Sequence, residues 1–186
     1  MDITCRYAAT PMRTATELLA QYAEYHRDRR NIVSHFVGVP MIVFGVGVLL
    51  ARPVVATGNL ALTPAWCLFA LAAAWYLSRG NAVLGVATSA AVATLLWLAQ
   101  RVSGGSVPSW LAWGTGFFAV GWLIQFVGHW YEGRKPAFVD DIVGLLVGPM
   151  FVTAEAMFLL GWNKPLWSEI ERRAGPVVMR DIARIA

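Results

Sequence analysis

Five long apolar stretches, near residues 32–51, 60–78, 82–100, 109–131 and 139–162, dominate the chain, and polar or turn-forming residues are confined to the short breaks between them. A helix of about 20 apolar residues crosses the roughly 30 Å hydrocarbon core of a bilayer. The first four stretches therefore predict membrane-spanning helices. Breaks such as Arg52-Pro53, Ser78-Arg79-Gly80-Asn81 and Ser103-Gly104-Gly105-Ser106 carry turn chemistry and are too short for a second domain. The fifth stretch differs, because Gly148-Pro149 interrupts it near its middle and Glu155 puts an ionisable group in it. That predicts a broken or re-entrant helix packed on the others. Ahead of the first span, Leu18, Leu19, Tyr22, Tyr25 and His26 share roughly one helical face between Thr14 and Arg30, with Glu24, Arg27, Asp28 and Arg29 largely elsewhere. This pattern predicts an amphipathic helix lying in the membrane interface. No internal repeat is evident.

The expected architecture is an all-α, multi-pass integral membrane bundle forming one domain over 1–186, with an interfacial helix at 14–30, the bundle over 32–162 and a basic cytoplasmic tail over 163–186. Composition agrees: 58% of the chain is hydrophobic, 14% is charged and nine residues are Trp, which lies outside the norm for soluble domains. Arg27, Arg29 and Arg30 precede the first span and Arg134-Lys135 follow the fourth, so the positive-inside rule puts both ends of that bundle in the cytoplasm. A fifth crossing would export Lys164, Arg172, Arg173, Arg180 and Arg184, a second argument for re-entry. The expected membrane is the inner membrane of a bacterium or the endoplasmic reticulum of a eukaryote. No short apolar core with a cleavage site marks a signal peptide, and the first apolar run is expected to be retained. Cys5 and Cys67 are too few for a disulfide framework, and Cys67 is assigned packing only. Trp122, Trp130, Tyr131, Trp162 and Trp167 suit interfacial belts, and the basic tail suits anionic lipid headgroups. No nucleic-acid motif accompanies the positive charge.

The candidate chemistry rests on the only three histidines, His26, His35 and His129. On this topology His26 lies just before the first span, His35 in its first turns and His129 at the inner end of the fourth, so all three share one leaflet. Neutral imidazole is a common ligand of iron and zinc. Asn31 precedes His35 by four residues and Gln125 precedes His129 by four, which stacks each amide on the face of its histidine. These amides, or Glu132 beyond His129, are candidates to orient the imidazoles. Gly38, Pro40 and Gly128 permit close helix approach or a kink. Asp140 and Asp141 suit capping of the fifth segment, with a fourth ligand from this pair as the alternative. Glu155, an ionisable group deep in an apolar run, is expected to line a cavity or pair with another group.

Tyr25-His26, Asn31-x-x-x-His35-x-x-Gly38-x-Pro40 and Gln125-x-x-Gly128-His129-x-x-Glu132, followed by Pro136-Ala137, resemble the fungal 2-hydroxy fatty acid dioxygenase family and its bacterial homologues over roughly residues 18–162. The resemblance implies an integral membrane enzyme that uses Fe(II) and O2 to shorten a 2-hydroxy long-chain fatty acid by one carbon, in contact with membrane lipid. By position it implies His26, His35 and His129 as the essential histidines. Asn31, Gln125 and Glu132 match further motif positions. A three-histidine face leaves about three positions on an octahedral iron for a chelating 2-hydroxy acid and O2. Arg27, Arg30, Arg134 or Lys135 are candidates to steer the substrate carboxylate.

Three histidines with no HxxxH or HxxHH box exclude a di-iron hydroxylase or desaturase. A haem between His35 and His129, a hydrolytic zinc site, and a non-enzymatic lipid-binding or transport module with a His/Glu pocket stay open on sequence alone.

Overall fold

A computed structural model describes residues 12–52 and 62–181; its named elements are all helices, and Asp28 and Val178 form an isolated parallel bridge. The helices are α1 (Ala15–Ala23), α2 (Arg29–Ala51), α3 (Pro64–Leu77), α4 (Ala82–Ser103), α5 (Val107–Glu132), α6 (Gly144–Leu159) and α7 (Lys164–Ala174), with a single 3-10 turn at Ala137–Val139. Among the described residues, α2, α4 and α5 are long and apolar enough to cross a membrane. Their outward faces are apolar too: Val37, Val86, Trp97, Leu123 and Phe126 are exposed, as lipid contact requires.

The central contact is α2 against α5, and glycine sets it. A Cβ on Gly45 would lie 2.7 Å from Gly114 O, one on Gly38 would lie 2.9 Å from Gly121 O, and one on Gly128 would lie 2.6 Å from Asn31 Oδ1. Each step advances seven residues along α2 and retreats seven along α5, so the helices run antiparallel with their backbones close at every second turn. This seven-residue spacing is a repeat that hydrophobic periodicity alone does not reveal. Van der Waals contact between backbones replaces the hydrophobic effect, which has little to offer between helices in lipid.

Several expected boundaries change. The interfacial helix of 14–30 is two elements: α1 stops at Ala23, and Asp28 caps α2 by accepting the Arg30 amide at 2.8 Å. The apolar face of α1 is covered by protein, with Ala15, Leu18, Leu19 and Ala23 buried with Val147, Met150 and Phe151 of α6 and Ile170 of α7. Of the four expected spans, α2, α4 and α5 reach full length; α3 has 14 residues, about 21 Å at 1.5 Å per residue, and returns the chain to the end where Arg79 O accepts the Ala15 amide at 2.8 Å. The start of its apolar run, 60–61, lies outside the described residues. The break at Gly148-Pro149 is not seen: α6 is continuous over 16 residues. Pro149 stands early in the helix, where it removes one backbone bond only. At about 24 Å, α6 is still short of a span. The expected tail contains α7, which packs on α1. Cys67 is exposed on α3 rather than packed, and Cys5 lies outside the described residues.

Candidate metal centre

The antiparallel pairing brings the start of α2 and the end of α5 to one end of the bundle. His35 sits in the second turn of α2 and His129 in the last turn of α5, while His26 lies in the short connection between α1 and α2. The three rings meet: centroids are 4.3 Å apart for His26 and His35, 4.9 Å for His26 and His129, and 5.2 Å for His35 and His129. One nitrogen from each lies within 4.8 Å of the other two, and all three side chains are buried. Such close mutual packing leaves no slot for a porphyrin between His35 and His129.

Hydrogen bonding fixes two of the tautomers. His26 Nδ1 lies 2.6 Å from Tyr22 O and His35 Nδ1 lies 2.8 Å from Asn31 O. A carbonyl oxygen only accepts, so each Nδ1 carries the proton and each Nε2 a lone pair. These two Nε2 atoms face each other at 2.9 Å. Burial, followed by the neighbouring His35 and His129, pushes the His26 imidazolium well below the ordinary histidine range, so the ring is neutral. Two lone pairs then converge with no proton between them, which is unfavourable unless a cation sits where they meet. Two donors about 2.1 Å from one ion, at right angles, are about 3 Å apart. The donor set fits a divalent metal. His129 Nδ1 is buried with no partner, so His129 also has a nitrogen uncommitted within the described residues.

Tyr22, on the apolar face of α1, stacks on His26 at 4.1 Å with the ring planes 8° apart. Its carbonyl and its ring thus both orient the His26 imidazole. Asn31 orients His35 through its backbone carbonyl rather than its amide. The amide instead donates to Tyr25 O at 3.1 Å and reaches Glu132 Oε2 at 3.3 Å. Glu132 is fully buried and also accepts the Asp28 amide on Oε2 at 2.7 Å. It ties the His26 connection to the end of α5 and stands outside the cluster of possible ligand atoms. Gln125 makes no hydrogen bond to His129; its Nε2 is buried without a partner, in the space that Gly38 leaves open.

The remaining candidates fall elsewhere. Asp141 caps the Val143 amide at 3.0 Å and pairs with Arg13 at 2.6 Å, and Asp140 binds Tyr25 and Lys135; neither belongs to the histidine cluster. Glu155 lines a separate groove with Arg29, Phe36 and Trp167. Arg27 is buried and donates to the carbonyls of Ala23, His26 and Gly175. Arg30 is held by Asp28, and Arg134 by Glu24 O. None of these basic residues lines the space at the histidines. Asp28 itself was missed as a functional position, although an Asp before a long apolar run is a helix-start signal. Burial raises the Asp28 pKa, but hydrogen bonds from the Arg30 side chain and from the Arg180 and Arg30 amides outweigh it and hold the carboxyl at about 2.

A pocket opens beside His35 and His129. Val39, Ile42 and Val43 of α2, Trp122 of α5, Phe138 of the 3-10 turn and Leu145 of α6 supply most of its walls. Trp122, expected in an interfacial belt, packs on Phe138 at 4.9 Å as part of this wall. The turn reaches the pocket because Gly133 ends α5 with φ of 65°, a left-handed conformation that glycine adopts without strain. Gln125 and Tyr22 are the polar, non-histidine side chains lining it.

Comparison with known proteins gives a consistent result. A family model described as 2-hydroxy-palmitic acid dioxygenase Mpo1-like matches residues 12–160. The 2-hydroxy-palmitic acid dioxygenase MPO1 of Saccharomyces cerevisiae is 31% identical over 162 residues, covering 82% of this chain and 85% of the yeast protein. No solved structure matches the chain.

Proposed function

Since the chain belongs to the Mpo1-like family, we propose that it is a membrane-embedded 2-hydroxy fatty acid dioxygenase in which His26, His35 and His129 hold Fe(II) at the cytoplasmic face. The observation that carries this reading is the 2.9 Å approach of two imidazole Nε2 atoms whose Nδ1 protons are already committed to carbonyls. Bound there, Fe(II) supplies electrons for O2 and a Lewis-acidic centre for the two oxygens of a 2-hydroxy acid. The histidines fix the reacting end, and the apolar walls of the pocket suit the carbons that follow it. With no Lys or Arg in the lining, the acid head group has neutral partners only, the Gln125 amide and the Tyr22 hydroxyl. The cytoplasmic placement is supported by Arg27, Arg29, Arg30, Arg134 and Lys135, which gather at the histidine end of α2 and α5.

Gln125 Nε2, buried and without a partner, is assigned to a substrate oxygen. Gln125→Leu is expected to raise KM for 2-hydroxypalmitate about 10-fold, the equivalent of one lost hydrogen bond, while metal content stays unchanged. Steady-state oxygen uptake with a parallel metal assay checks this; an unchanged KM removes the assignment. The reading as a whole is tested on detergent-purified protein prepared anaerobically. Near-stoichiometric iron and O2 consumption dependent on 2-hydroxypalmitate are expected. Folded protein with no specific metal and no uptake points instead to a lipid-binding module.

A further inference from the structure

Helix α7 ends at Gly175, whose φ of 86° turns the chain back toward the α1–α2 connection. Residues 175–180 then run alongside residues 27–30. Arg27 Nη1 donates to Gly175 O at 2.8 Å and the Val178 amide to Arg27 O at 2.8 Å. The Arg29 amide donates to Val178 O at 2.9 Å, and the Arg180 amide to Asp28 Oδ2 at 2.8 Å. Arg30 Nη2 closes the set on Arg180 O at 2.7 Å. At the end of the segment, Arg180 Nη2 lies 2.9 Å from Glu132 Oε1. Arg180 is thus turned inward, where the sequence suggested a basic residue facing lipid headgroups.

Glu132 has no exposed surface, and a buried carboxylate deprived of its cation is strongly disfavoured. With Arg180 beside Oε1, Glu132 accepts the Asp28 amide and the Asn31 side chain on Oε2. Asp28 ends the connection that carries His26, and Asn31 O meets His35 Nδ1 at 2.8 Å. Glu132 itself lies one helical turn beyond His129. The chain of contacts therefore runs from Arg180 through one carboxylate to Asn31, whose carbonyl meets His35 and whose amide meets Tyr25 O beside His26. Residues 175–180 lie beyond the 12–160 segment that the family model matches.

We propose that residues 175–180 are a strap that assembles the three-histidine site, and that Arg180 is its positioning residue, acting through Glu132. The inference rests on the metal-centre reading above. Its test uses the full chain, purified metal-free, as wild type, Arg180→Met, Arg180→Lys and the double variant Glu132→Gln/Arg180→Met. Co(II) titration, followed by its visible absorption, reports the site, and amide hydrogen exchange without metal reports the strap. Arg180→Met is expected to weaken Co(II) binding 10- to 100-fold, roughly the range for residues that orient ligands, with helix content unchanged. Arg180→Lys recovers part of the affinity. The double variant recovers most of it, because a neutral amide needs no cation. Exchange in Arg180→Met quickens over residues 24–31 and 175–181 and not in the spans. Unchanged affinity together with unchanged exchange in Arg180→Met overturns the proposal, and so does a double variant no better than Arg180→Met. If wild type takes up no Co(II), the metal reading falls, and exchange alone decides the strap: local quickening sustains it and an unchanged pattern removes it.

Discussion

Replacing His26, His35 or His129 with Ala is expected to lower metal affinity by more than about 100-fold, beyond the upper range reached when only a ligand's outer partner is lost. Substrate-dependent O2 uptake falls with it. The three positions are not equivalent in their structural consequences. His26 lies in a connection, so His26→Ala leaves every helix intact, whereas His35 and His129 lie on the paired helices α2 and α5. Metal analysis beside circular dichroism separates the two effects: the expected result is metal-free protein with wild-type helix content in His26→Ala. Metal retained at wild-type stoichiometry in all three variants would falsify the site.

The second large effect belongs to Gly45. A Cβ there meets Gly114 O at 2.7 Å, the Phe118 amide nitrogen at 2.7 Å and Phe118 Cα at 3.1 Å, all of them backbone. No side-chain rotation relieves such a contact, so Gly45→Val forces α2 and α5 apart. Overpacking of this kind costs about 1–3 kcal/mol, and here it also separates the helices that carry His35 and His129. Gly116→Ala is the control, since nothing lies within 4 Å of its added carbon. Thermal unfolding in detergent is expected to show a large loss for Gly45→Val and little change, or a small gain from helix propensity, for Gly116→Ala. Equal stability of the two variants would show that the glycine register does not hold the pair together.

The pairing of amides and histidines shows how far spacing alone carries an argument. Four-residue spacing placed Asn31 with His35 and Gln125 with His129, and both pairs do share a helix face. The expected hydrogen bonds from side-chain amide to imidazole do not form. Asn31 serves His35 with its carbonyl because the imidazole reaches back along the helix, which frees the amide to bind Tyr25 and Glu132 from another direction. Gln125 is diverted into the space opposite Gly38. Asp141 was legible as a cap and is one, and its partner Arg13 lies too far away in sequence for any local rule to name.

The sequence by itself determined the helical class, the apolar runs that become α2, α4 and α5, the family and the three histidines that share one end of the bundle. Each of these depends on local composition, on helical period or on motif spacing, and such signals survive without knowledge of contacts. Tertiary structure alone decided that Tyr22 stacks on His26, that Glu132 is a fully buried junction and that Arg180 returns to it from the far end of the chain. It also decided that the basic residues near the histidines are spent on backbone carbonyls and carboxylates, which leaves the pocket neutral. Charge in a sequence reports which side of a membrane a segment prefers. Which partner neutralises that charge depends on distances that only the folded chain sets.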